Sequence, residues 1–232
     1  MVKVTAIAAA SFFPILLAGY IITTPFDTFS ALLSENEYEY AEQLNTDYYD
    51  GQFSADDDYT ESAVLDAGRA VTYFQQKDPQ WKNELWLGGS GCGPTSMAIV
   101  ISTLTNSFVP PTVVAAWAYK AGLYSTAGSA QITIPKAAER WGLTVDGVGT
   151  DANRVSDALA NGKLIVALMG PGDFTKGGHY IVLRGLDEYG NVYVADPNSL
   201  ARSNKVWSLA LVLSQTKAPN AGGPCWAMGG EA

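Results

Sequence analysis

Cys92 and His179 are the two residues whose types and settings carry the most chemistry. The chain has one histidine and two cysteines, so any reaction that needs an imidazole must use His179. Cys92 stands between glycines in Gly91-Cys92-Gly93-Pro94, at the mouth of a helix predicted from SGCGPTSMAIVISTLTN. Backbone N–H groups and the helix dipole stabilise negative charge at a helix N-terminus, which favours a thiolate there. Small neighbours leave the sulfur open to a carbonyl carbon, and the same N–H groups can hold a developing oxyanion. By position alone, Cys92 reads equally well as an inert buried thiol.

His179 breaks that tie. It follows two glycines in KGGHYIVLRG, just before a strand-like run begins. Asp196, in VADPNS, closes the next strand-like run. Adjacent antiparallel strands can set its carboxylate beside the imidazole, fixing tautomer and orientation as a nucleophile's base requires. Asn198 is the alternative orienting group if Asp196 points away.

The elements that must position these residues follow from periodicity. Met97, Val100, Ile101 and Leu104 fall at helical spacing after Cys92, with Pro94 in the first turn. Residues 110–123 and 134–142 read as two more helices with proline starts and glycine stops. Residues 143–148 form a short strand, and residues 151–162 a helix capped by Asp151 and ended by Gly162. The period then becomes two: 163–169, 179–186 and 191–197 read as strands, the last two joined at Tyr189-Gly190-Asn191. Residues 205–213 read as one more strand. Helices first and strands after, with no repeating βαβ unit, predict an α+β fold.

Composition narrows the functional class. The net charge is −9, yet residues 27–66 hold 12 of the 23 acids and no Lys or Arg. The body beyond is close to neutral and has no basic stripe, which excludes a nucleic-acid partner. Three dispersed Cys/His ligands fall short of the four that a structural zinc site needs, so no metal or cofactor is expected. Cys225 reads as structural or solvent-facing; pairing it with Cys92 would block the nucleophile.

Residues 4–22 are uncharged, preceded by Lys3 and followed by acids from Asp27 onward. That length spans a hydrocarbon core as a helix, and the charge asymmetry leaves the N-terminus in the cytoplasm and exports the body. No A-x-A site follows, so an uncleaved anchor is preferred to a removed signal peptide. The domain reading is therefore a membrane anchor or signal over 1–25, an acidic spacer over 26–66, and a catalytic domain over 67–232. The spacer reads as flexible, with a pro-segment across the cleft as the alternative.

Four ordered stretches, YFQQKDPQW, GSGCGPTSMAIV, GGHYIVLRG and ADPNS, resemble the papain-like peptidases related to the double-glycine peptidases that process bacteriocins. The resemblance covers about residues 70–200. It implies a papain-like cysteine peptidase fold, with an N-terminal helical lobe carrying the nucleophile helix and a C-terminal antiparallel sheet carrying the histidine. It also implies a Cys92–His179–Asp196 triad acting on a peptide or protein substrate. A glutamine ahead of the nucleophile would supply an oxyanion donor; Gln76 is the best match and Gln75 the fallback. Many double-glycine enzymes are fused to a transporter ATPase, but no GxxxxGK[ST] loop occurs here, so ATP is not an expected partner. Cell-wall amide hydrolysis or transpeptidation, and a non-catalytic binding module at the envelope, are the competing readings of the same residues.

Overall fold

Residues 164–169, LIVALM, explain the core: every side chain in the run is buried, and alternate ones enter different clusters. Leu164, Val166 and Leu168 face one hydrophobic cluster, while Ile165, Ala167 and Met169 face the other. A strand with period-two side chains and both faces apolar must lie inside a sheet covered on both sides. The computed structural model describes residues 63–65 (backbone) and 68–230, and it has this layered form. The anchor expected over 1–25 and nearly all of the spacer over 26–66 lie outside the described residues.

The elements in chain order are β1 (Ala63–Leu65), β2 (Val71–Tyr73), α1 (Leu87–Ser90), α2 (Cys92–Thr105), α3 (Pro111–Lys120), β3 (Tyr124–Ser125) and β4 (Gly128–Ser129). They continue with α4 (Thr133–Arg140), β5 (Thr144–Gly147), α5 (Ala152–Ala160), β6 (Leu164–Met169), β7 (His179–Leu186) and β8 (Asn191–Ala195). Last come α6 (Leu200–Ser203), β9 (Val206–Ser208), α7 (Leu209–Ser214) and β10 (Cys225–Gly229). The main sheet has the order β5-β10-β6-β7-β8-β9, and its neighbouring strands all pair antiparallel. Residues of α2, α3 and α4 cover one face; residues of α5 and α7 cover the other. This is the expected α+β architecture, with a helical lobe ahead of an antiparallel sheet.

Most sequence-derived elements are present within a residue or two. Two differences have clear physical causes. Residues 205–213 are not one strand: β9 ends at Ser208, whose Oγ accepts from the Leu211 N–H and caps α7. Leu209, Val212 and Leu213 then repeat at helical spacing and are buried, so that half of the run obeys the 3.6-residue period. The other difference is β10, which lies between β5 and β6 although its CWAMG sequence is poor in β-branched residues. Cys225 opens it and is fully buried, which removes the solvent-facing alternative. Both cysteines are free thiols.

The helix that starts at Cys92 is buried from Gly93 to Ser102 on every side, so it is a core helix rather than a surface one. Only its ends reach the edge of the core, and Cys92 is at one of them. Among the described residues no helix is long and apolar enough to cross a membrane.

Asp151 caps α5 as its sequence position implies, accepting from the N–H groups of Asn153 and Arg154 at 2.9 and 3.2 Å. Asp151→Ala is expected to cost about 1 kcal/mol of stability, and Asp151→Asn much less, because asparagine keeps the acceptor. Urea unfolding of the two variants measures this, and equal midpoints for Ala and wild type would contradict it.

Candidate active site

The glycines beside Cys92 are required by close packing. A Cβ on Gly91 would lie 2.4 Å from the Leu87 carbonyl oxygen, and one on Gly93 would lie 2.4 Å from Ser129 Oγ. The Leu87 backbone and the Ser129 side chain therefore press against both sides of the turn that holds Cys92. The glycine-rich turn expected before Cys92 is itself a single helical turn, α1, ending at Gly91. Cys92 is partly buried and packs against the hydrophobic core.

His179 opens β7, paired to Met169 of β6, and Asp196 directly follows β8. Because β7 and β8 are antiparallel, the start of one adjoins the end of the other. The His179 Nε2 lies 2.6 Å from Asp196 Oδ1. An ionised carboxylate only accepts, so Nε2 carries a proton and Nδ1 is the ring nitrogen left for Cys92. His179 acts electrostatically on Cys92, and so do the backbone N–H groups of Tyr180 and Gly93.

The electrostatics follow from competition between burial and these partners. Burial pushes the Cys92 thiol up, but the His179 hydrogen bond and charge, with the two backbone N–H groups, bring it below its ordinary value. Burial pulls the His179 imidazolium down, but the Asp196 charge and hydrogen bond, aided by Cys92, raise it to about 10. Burial pushes the Asp196 carboxyl up, and His179 and then Arg202 hold it below the usual carboxylate range. A lowered thiol beside a raised imidazole favours transfer of the proton from sulfur to nitrogen, toward a thiolate–imidazolium pair.

Asp196 is fixed from several elements. Its Oδ1 also accepts from the Asn198 N–H at 2.8 Å, and its Oδ2 accepts from Arg202 Nε at 2.5 Å. Its backbone N–H donates to Ser203 Oγ at 2.8 Å, and Tyr73 of β2 donates its hydroxyl to the Asp196 carbonyl at 2.8 Å. Asn198 thus meets the carboxylate through its backbone, and Asp196 is the group at the imidazole. Sequence reasoning missed Arg202. The available signal was the Ser199 cap, whose Oγ accepts from the Arg202 N–H and turns the chain back toward Asp196.

Gln76 and Gln75 are both buried, so neither is an exposed turn residue. Gln76 Nε2 donates to the Gly88 carbonyl at 3.1 Å, within the helical turn that leads into Cys92. The Gln76 backbone N–H donates to Pro197 at 2.7 Å, tying this segment to the one that bears Asp196. The Gln75 carbonyl instead accepts from the indole of Trp81 at 2.9 Å. Among the described residues no group of three or more His, Cys, Asp and Glu side chains gathers as a metal-ligand set.

A thiol at the start of a core helix and an imidazole at the start of a sheet strand are the arrangement expected of a papain-like cysteine peptidase fold. The chain belongs to the Peptidase_C39 like family, whose model matches residues 69–221. No curated protein matches it significantly. Among solved structures, the peptidase domain of Streptococcus ComA, a bi-functional ABC transporter involved in a quorum-sensing pathway, is 21% identical. That match has a TM-score of 0.39 and covers 60% of this chain and 88% of the other.

Two thiols with opposite shifts give a direct test. Cys225 is pushed up to about 12 by burial alone, whereas Cys92 is lowered. In the native chain iodoacetamide is expected to label Cys92 near neutral pH and to leave Cys225 unlabelled, as read by peptide mass spectrometry. The Cys92 rate should fall as pH drops through its lowered pKa. In His179→Ala the raising effect of burial remains while its main counterweight is gone, so the midpoint should move up. Equal labelling of both thiols, or an unmoved midpoint, would contradict the geometry described.

Proposed function

We propose that this chain is an exported, membrane-tethered cysteine peptidase that hydrolyses peptide bonds through Cys92, His179 and Asp196. The observation that supports this most directly is the shared imidazole, electrostatically coupled to a partly buried thiol and 2.6 Å from a buried carboxylate. In the first step the Cys92 thiolate attacks the carbonyl carbon, forming a C–S bond while the carbonyl π electrons move to oxygen. The Cys92 N–H and the Gln76 amide are the proposed oxyanion donors; Gln76 spends one Nε2 hydrogen on Gly88 and has a second to give.

Collapse of that intermediate breaks the C–N bond, and His179 passes its proton to the leaving amine. The neutral imidazole then takes a proton from water, whose oxygen attacks the thioester. Loss of the sulfur leaving group returns thiolate and imidazolium with the carboxylic product. Each step uses one nitrogen, Nδ1, which the Asp196 contact on Nε2 leaves directed at the reaction. Family membership supports peptide substrates. The uncharged run over 4–22, Lys3 before it and the acids after it support tethering with the body outside the cytoplasm, or secretion if the segment is cleaved. Residues 26–66 then serve as the spacer that holds residues 67–232 off the membrane.

The test is turnover on a library of unstructured peptides, with cleavage sites mapped by mass spectrometry for the full chain in detergent. Cys92→Ala is expected to lower turnover by about five to six orders of magnitude, as loss of an acyl-transfer nucleophile does. Hydrolysis that persists unchanged in that variant would end the proposal.

A further inference from the structure

Asp196 has no solvent exposure, and both of its oxygens are occupied by donors. Isolating a carboxylate from water is strongly unfavourable unless cations or hydrogen bonds compensate. In the reaction proposed above, His179 is a cation only part of the time: after protonating the leaving amine it is neutral until water is deprotonated. During that interval the imidazole cannot serve as the counter-ion of Asp196. Arg202 can, because a guanidinium keeps its charge at any working pH.

The way Arg202 is held suits that role. Its N–H is fixed by Ser199 Oγ at 3.1 Å, and its carbonyl accepts from Trp207 Nε1 at 3.1 Å. The next residue, Ser203, has its carbonyl bonded by buried Arg184 Nη2 at 3.4 Å, and its hydroxyl accepts from the Asp196 N–H. The four-residue helix α6 is therefore pinned at both ends, and it brings Arg202 back to Asp196 six residues along the chain. Nε reaches Oδ2, the oxygen facing away from His179, so the carboxylate cannot rotate without breaking a charge-assisted bond.

We propose that Arg202 is a positioning residue for this chemistry. By holding Oδ2 it keeps the Asp196 carboxylate ionised with Oδ1 aimed at His179, which orients the imidazole toward Cys92 in the resting site as well as through the half-cycle in which the imidazole is neutral. The inference rests on the assignment of Cys92 and His179 made above. Arg202 does not touch substrate. Apart from His179 and Arg202, the titratable group at Asp196 is Tyr73, which contacts only its backbone carbonyl.

Arg202→Gln and Arg202→Lys in the full chain test the idea through the pH dependence of Cys92 alkylation, alongside thermal unfolding. Arg202→Gln removes the charge and is expected to slow alkylation at neutral pH about tenfold, moving the midpoint up by about one unit. Arg202→Lys keeps the charge and should recover most of that loss. Three results would overturn the proposal. One is an Arg202→Gln profile equal to wild type. Another is a midpoint that moves down, as it would if Arg202 merely competed with His179 for Asp196. The third is an equal loss in Gln and Lys variants that tracks only a lowered melting temperature. His179→Ala separates this idea from the assignment beneath it: if that change slows alkylation and Arg202→Gln does not, only the Arg202 role falls. If His179→Ala has no effect, the assignment itself falls.

Discussion

A carboxylate sealed from water is the constraint on which this site depends. Asp196 ends β8 in the interior, and nothing in its surroundings tolerates an unpaired charge. Three parts of the chain answer the charge, His179 from β7, the Asn198 N–H and Arg202 from α6, while Tyr73 from β2 and Ser203 from α6 hold the Asp196 backbone. Each contact draws its element inward. The Gln76 N–H bonds the Pro197 carbonyl as well, so the same turn fixes the segment whose Gln76 side chain reaches Gly88, ahead of Cys92. The surroundings of one buried charge thus link His179, Arg202 and Gln76.

The reactivity of Cys92 is decided by which of two opposed effects wins. Burial disfavours a thiolate, and at Cys225 burial alone acts, giving a thiol pushed up to about 12. Cys92 has in addition an imidazole and two backbone donors, from Gly93 in its own helix and Tyr180 on the sheet, and the balance reverses. Around the same turn, Gly91 and Gly93 let Leu87 and Ser129 close in on either side.

Much of this was legible in the chain itself. Helical spacing after Cys92, the Asp151 cap and the alternating runs from residue 163 onward each correspond to an observed element. They were readable because local period and capping chemistry decide them within a few residues. The run 205–213 was misread because its composition suits a strand, while Ser208 and the spacing of Leu209, Val212 and Leu213 select a helix. β10 left little local trace, since its place between β5 and β6 is set by backbone pairing and burial from both sides. Arg202 was missed for a related reason. Nothing in the spacing of Asp196 and Arg202 says that a four-residue helix returns one to the other.

Sequence by itself determined the inventory: one imidazole, a cysteine flanked by glycines at a helix start, an aspartate closing the next strand, and a layout of helices before strands. Tertiary structure decided the rest. It selected Asp196 over Asn198 as the imidazole's partner, directed Gln76 toward the turn before Cys92, and enclosed Asp196 so that Arg202 became its second cation. The division has a physical origin. Period, capping and backbone conformation act between near neighbours, whereas the cost of a buried charge exists only after distant segments have excluded water around it.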